Sequence, residues 1–330
     1  VSGSLIASAG AGGRAGGAVS IVHKGTGRIR VTPANIAVSA GAAGGAGGTI
    51  TIDATQGVTP GVVTLAAGTL SANASGANFN GGAVTVLGSS LTLGGAVNLN
   101  ANGTGTGNGG TINVRSSALG NNITVGAGGL NISAIPGATS GNGGTVTVQA
   151  GGNLTVTNAN LQAAAGPGAG NGAIYNLTAG QSGTGSLSIS GALNANGIGA
   201  GNGGQVNLQM SSGAGTPFLV NQGAGANAIN GTLAANAGAG GGKGGTVSIV
   251  NNGLGGISVN AASDITVSAT GANQAGAIVL NAAGGGPLLA GPVSFNSGGT
   301  LNVDGGAGGG GFYGGGGGGY RGGYNNGGGY

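Results

Sequence analysis

A short tag returns along the chain: two glycines, a small or polar residue, then apolar residues at the fourth and sixth positions. Clear copies begin at Gly16 (GGAVSI), Gly47 (GGTITI), Gly81 (GGAVTV), Gly109 (GGTINV), Gly143 (GGTVTV), Gly203 (GGQVNL), Gly244 (GGTVSI) and Gly298 (GGTLNV). Two degenerate copies, GAIYNL from Gly172 and AGAIVL from Ala275, fill the gaps. Successive starts differ by 31, 34, 28, 34, 29, 31, 41, 31 and 23 residues. A fixed period of this size marks a repeat architecture, in which each unit buries its apolar face only by stacking on its neighbours.

Each unit holds three short alternating runs. TVTV at Thr145 to Val148, NLTV at Asn153 to Val156 and the run around Leu161 form one set. SLTL at Ser90 to Leu93 precedes AVNL at Ala96 to Leu99, and RIRV at Arg28 to Val31 precedes NIAV at Asn35 to Val38. Period-2 alternation sends Val, Ile and Leu to one face and Thr, Ser and Asn to the other. Gly and Asn between the runs suit corners that need positive φ. The spacing therefore predicts an all-β fold, a parallel β-helix (β-solenoid) of about ten three-stranded coils over residues 16–304. Residues 1–15 form an N-terminal strand or capping segment, and residues 305–330 a Gly/Tyr-rich tail.

The first runs predict a core ladder from Val19/Ile21 through Ile50/Ile52, Val84/Val86, Ile112/Val114, Val146/Val148, Tyr175/Leu177, Val206/Leu208, Val247/Ile249 and Ile278/Leu280 to Leu301/Val303. Tyr175 is the odd member, where a one-residue slip is expected. The unit from Gly203 is long, and its extra residues, SSGAGTPFLVNQGAGANAIN, are expected to bulge as a surface loop. The third corners, such as NGTGTGNGG, PGATSGNGG and GIGAGNGG, are expected to stack into one glycine ridge.

Units such as GNGGTVTVQAGGNLTVTNANLQAAAG resemble the repeats of filamentous haemagglutinin-type proteins, over about residues 16–304. The resemblance implies a right-handed parallel β-helix, export to a bacterial cell surface, and an adhesive or matrix-forming role.

Composition narrows the chemistry. Among 330 residues there are 7 Lys or Arg, 3 acidic residues, no Cys and one His. Low charge with 89 Gly could mean disorder, but the regular placement of the apolar residues argues against it. Polysaccharide-cleaving chemistry needs clustered carboxylates. The chain has only Asp53, Asp264 and Asp304, and Asp53 lies coils away from the others, roughly 30 Å or more at one strand spacing per coil. No enzymatic activity and no cofactor are expected. His23, alone, is expected at the surface rather than on a metal. The basic residues are too few and scattered for the dense stripe that nucleic acid requires. No run reaches the ~20 apolar residues of a membrane span. The opening VSGSLIASAG lacks Met, as expected of a processed product or a piece of a longer chain.

A parallel stack has two open ends, and no amphipathic helix is expected to cap either. A head-to-tail contact that does not close gives a filament. Arg14, Lys24, Arg28 and Arg30 fall in the first coil, and Asp264 and Asp304 in the last three, so opposite charges would meet. The tail GGAGGGGFYGGGGGGYRGGYNNGGGY adds Phe312, Tyr313, Tyr320, Arg321, Tyr324 and Tyr330, which could clasp a neighbouring subunit by stacking. These twelve residues are the subunit-interface candidates. The expected function is a secreted structural subunit that polymerises with copies of itself. The alternative is an adhesin rod that binds surface glycans through the unit from Gly203. Third, the outward Thr-x-Thr pairs are similar to the ice-binding faces of solenoid antifreeze proteins. The N-x-(Ser/Thr) triplets at Asn73, Asn102, Asn122, Asn131, Asn153, Asn176 and Asn230 read as chance in a chain this rich in those residues.

Overall fold

The computed structural model describes residues 1–305, apart from residues 2, 11, 34, 214–215, 222–224, 260–264, 271–272, 274, 283–287 and 291–299. Asp264 and the tail candidates Phe312, Tyr313, Tyr320, Arg321, Tyr324 and Tyr330 lie outside the described residues. The described chain is a parallel β-solenoid. Apart from one 3-10 turn at Asn158–Asn160, its regular elements are all strands.

The first runs of the repeat form one ten-stranded parallel sheet. Its strands are Ala18–Val22, Thr49–Asp53, Ala83–Gly88, Thr111–Ser116, Thr145–Gln149, Ile174–Thr178, Gln205–Met210, Thr246–Asn251, Ala277–Ala282 and Thr300–Gly305, stacked in chain order. Register is unbroken from Val19↔Ile50 and Ile21↔Ile52 to Ile278↔Leu301 and Leu280↔Val303. At about 4.8 Å per strand the stack is roughly 50 Å long. The inward residues from Ile50 and Ile52 to Ile278 and Leu280 are buried and form one continuous core with those of the other faces. Tyr175 does not slip. It pairs with Val146 on one side and Val206 on the other, and its ring is 3% exposed. The alternation of its neighbours fixes its face, because a one-residue shift would turn Leu177 outward.

The tag glycines are required by close approach. A Cβ on Gly16, Gly47, Gly81, Gly109, Gly143, Gly172, Gly203 or Gly244 would lie 1.7–2.4 Å from a carbonyl oxygen at the end of a third run. The next glycine closes the coil through the same carbonyls: Gly82 N–H donates to Ala72 O at 2.8 Å, and Gly245 N–H to Ala235 O at 2.7 Å.

The second and third runs depart from three separate strands per coil. In the second and third coils they fuse into single long strands, Val62–Ser71 and Ser90–Asn100. Only Gly94 and Gly95 separate SLTL from AVNL, so the backbone bends at Gly95 (φ 146°) without leaving the sheet. Leu5–Ile6 pairs in parallel with Ile36–Ala37, so the N-terminal strand already occupies a third-run position.

The unit from Gly203 corrects the sequence reading. Its extra residues are not simply a surface loop: Phe218–Val220 forms a strand between Ala228–Asn230 and Ile257–Val259. Phe218 and Val220 are fully buried. The apolar run Phe-Leu-Val, unlike its Gly-rich flanks, gains by entering the core.

Candidate functional site: faces, corners and ends of the rod

On the outward side of the first face, Ser20, Thr51, Thr85, Asn113, Thr147, Asn176, Asn207 and Ser248 share one column. Two side-chain bonds run along it: Asn207 Nδ2 donates to Asn176 Oδ1 at 2.8 Å, and Asn176 Nδ2 to Thr147 Oγ1 at 3.1 Å. The neighbouring column is mixed, with Ala18, Ala83 and Ile174 among its threonines. Thr-x-Thr pairs therefore occur only at Thr49/Thr51 and Thr145/Thr147 in this sheet's described strands, which is no continuous array.

The corner before each tag carries a second asparagine ladder. Asn80, Asn108, Asn142 and Asn171 each offer Oδ1 to the backbone N–H of the Asn one coil on, at 2.8 Å. Asn202 does the same for Lys243 N–H. Six of the seven N-x-(Ser/Thr) asparagines bond to the following coil through Oδ1: Asn73 to Asn102 N–H, Asn102 to Ile135 N–H, Asn122 to Asn153 N–H, Asn153 to Ser186 N–H, and Asn131 and Asn176 to the side-chain amides of Asn160 and Asn207. The chance reading of these triplets overlooked that role. The signal was their recurrence at the repeat period, not the triplet.

The charged residues of the first coil are exposed but do not form one patch. Arg14 lies at the third corner, Lys24 at the first corner, and Arg28 and Arg30 on the second-run strand Arg28–Val31. His23 Nε2 accepts the Gly27 N–H at 2.9 Å, so it braces a turn. Asp53 is buried and engaged: Oδ1 accepts from the N–H (2.7 Å) and hydroxyl (2.6 Å) of Thr55, and Oδ2 from the Gln56 amide (2.6 Å). Burial pushes its carboxyl up, but these three donors outweigh it and hold it below the usual Asp value. Asp304 lies in the column that runs through Asn281, Val250, Gln209, Thr178, Gln149, Arg115, Leu87 and Asp53 back to Val22.

No group of three His, Cys, Asp or Glu able to hold a metal occurs among the described residues. A cleft of about 280 Å³ opens where strand residues 90–93 lose their partner in the fourth coil, between Leu91 and Leu93 on one side and Ile123 and Thr124 on the other. Its lining is mixed, with Leu91, Leu93 and Ile123 beside Asn122, Thr124 and two glycines. No helix among the described residues is long and apolar enough to cross a membrane.

Among the described side chains, the core is incompletely covered at few places. Leu5, Ala7, Val19 and Ile21, at the N-terminal end, are only partly buried, and so is Leu93 in the cleft. Ile50 and Ile52, the register partners of Val19 and Ile21, are 0% exposed. Comparison with protein-family models, with curated proteins and with solved structures finds no match to this chain.

Proposed function

We propose that this protein is a non-catalytic structural subunit, exported to a bacterial cell surface, that polymerises head to tail by continuing its own β-stack. One observation carries the reading. The apolar columns that are sealed inside the rod run out to the N-terminal edge, where Val19 and Ile21 are half-covered. A second copy stacked in register would bury them as Ile50 and Ile52 are buried, and would pair the open edge of strand Ala18–Val22. Continuing the ten-strand register across the joint would set Leu301 and Val303 of one copy against Val19 and Ile21 of the next, and Asp304 against Val22, close in sequence to Lys24, while Arg28 and Arg30 lie on another face and Arg14 at another corner.

The adhesin alternative has less support, because the apolar segment of the unit from Gly203 is part of the core. Negative-stain microscopy and fibre diffraction test the proposal. Fibres with an axial spacing near 4.8 Å are expected, and Ile21→Asp should stop assembly while the strand signature in circular dichroism persists. Monodisperse rods of roughly 50 Å at high protein concentration would refute it.

A further inference from the structure

The first face is the broadest unbroken surface of the described rod. Its strands from Ala18–Val22 to Ala277–Ala282 stack nine in a row without a register shift. Each is tied through its coil to the other two faces, so the sheet cannot take the free twist of an open sheet. The second face is interrupted by the cleft beside Leu91 and Leu93 and carries Arg28 and Arg30. The third face narrows to strands of two residues at Leu193–Asn194, Leu233–Ala234 and Ile265–Thr266.

This face lacks charge. Over the nine strands its outward positions hold two charged residues: Arg115, and Asp53, whose carboxylate is buried against Thr55 and Gln56. A surface that stays solvated carries roughly a quarter to a third Lys, Arg, Glu and Asp, whereas loss of charge marks the centre of an interface. The outward side chains are mostly short hydroxyls and amides, with half-buried Ile174, Val250 and Val279 among them. Along the central column, the Asn113 side chain and Asn207 Oδ1 have no hydrogen-bond partner among the described residues. An amide both donates and accepts, so such a surface is complementary to a copy of itself. With five-residue strands stacked nine high, the face measures about 17 Å by 43 Å. Two copies pressed together would bury about 1,400 Å², inside the range of about 1,200–2,000 Å² for a specific interface. We propose that the first face is a lateral interface, on which a second copy of this chain docks face to face with the sheets about 10 Å apart. This pairing needs no end-to-end contact; combined with polymerisation it gives paired rods in place of single ones.

Ile21→Asp, which blocks the end-to-end joint, isolates the lateral contact. Sedimentation of this full-length variant should show dimers. Adding Thr147→Arg or Asn176→Arg, both outward on the first face, should raise the dimer dissociation constant at least tenfold. Thr155→Arg, the same charge at an exposed position of the second face, should leave it unchanged. Wild-type fibres give a second measurement that does not depend on Ile21→Asp: under negative stain, Thr147→Arg should thin them to single rods. Monomers in the Ile21→Asp background, dimers indifferent to Thr147→Arg, or fibres of unchanged width would overturn the assignment. So would a monomer that inhibits ice recrystallisation until Thr147→Arg is introduced, since ice is then the occupant of the face. Wild-type dimers without fibres would uphold the lateral contact and count against the polymer alone.

Discussion

Replacing Gly109 with Ala asks whether the coils are in contact at the tag glycines. The added Cβ would lie 1.9 Å from Ala134 O, at the end of the same coil, and 2.7 Å from Gly144 N of the next, both backbone atoms. Ordinary contact requires the two segments to part by about 1.5 Å, and a close-packed interior has no void to absorb it. Two hydrogen bonds lie in the path, Gly109 N–H to Asn142 O at 3.0 Å and Gly110 N–H to Ala101 O at 2.7 Å. Losing both costs about 2 kcal/mol net, and overpacking adds about 1–3 kcal/mol. A destabilisation of about 3–5 kcal/mol is expected. Gly94→Ala is the control, since its nearest neighbour would be Ala66 Cα at 3.4 Å, an ordinary contact. Urea unfolding followed by circular dichroism measures both. If Gly109→Ala unfolds within about 1 kcal/mol of the control, the coils do not approach at this glycine as described.

Three further outcomes follow from the same packing. Asn142→Ala removes the acceptor of the Asn171 N–H and should cost about 1–2 kcal/mol in urea unfolding, with most recovered in Asn142→Asp, which keeps the oxygen. Phe218→Ala should cost about 3–5 kcal/mol if its strand is core, and almost nothing if the segment is a surface loop. Burial raises the Tyr175 phenol to about 12, although a hydrogen bond with the Ala163 backbone pulls the other way. The stability this represents is complete below the ordinary Tyr value near 10 and is lost as pH rises through 12, so alkaline unfolding should begin in that window and move upward in Tyr175→Phe.

The sequence made the first face fully legible because its information is local. Alternation assigns Val146 and Val148 inward and Thr145 and Thr147 outward, and the glycine tag fixes which residues stack. What escaped depends on the neighbouring coil. Nothing within GNGG marks Asn142 as an acceptor, since its donor, the Asn171 N–H, lies a full coil away. Ser90–Asn100 reads as two runs because Gly94 and Gly95 look like a corner, and whether a strand bends or breaks there is decided by pairing with Val62–Ser71. Phe218 was hidden by flanks that are legitimately loop-like. A three-residue apolar run was the signal, and composition over twenty residues diluted it. The charged candidates were legible as residues but not as a site, because a coil spreads Arg14, Lys24 and Arg28 around its circumference.

The corner asparagines also bear on how such a rod ages. An Asn followed by Gly is prone to lose its amide when the glycine nitrogen attacks the side-chain carbonyl carbon and closes a five-membered ring. Gly81, Gly109, Gly143 and Gly172 are those nitrogens for Asn80, Asn108, Asn142 and Asn171. Each N–H already donates to the backbone carbonyl of the corner residue one coil on, at 2.9, 3.0, 2.9 and 2.9 Å. The attacking atom and the amide it would attack are thus both held by the same neighbouring coil, and deamidation has to wait for the stack to open. Chemical wear should therefore start where a coil lacks its neighbour and advance inward from there, which makes the age of such a rod readable from its ends.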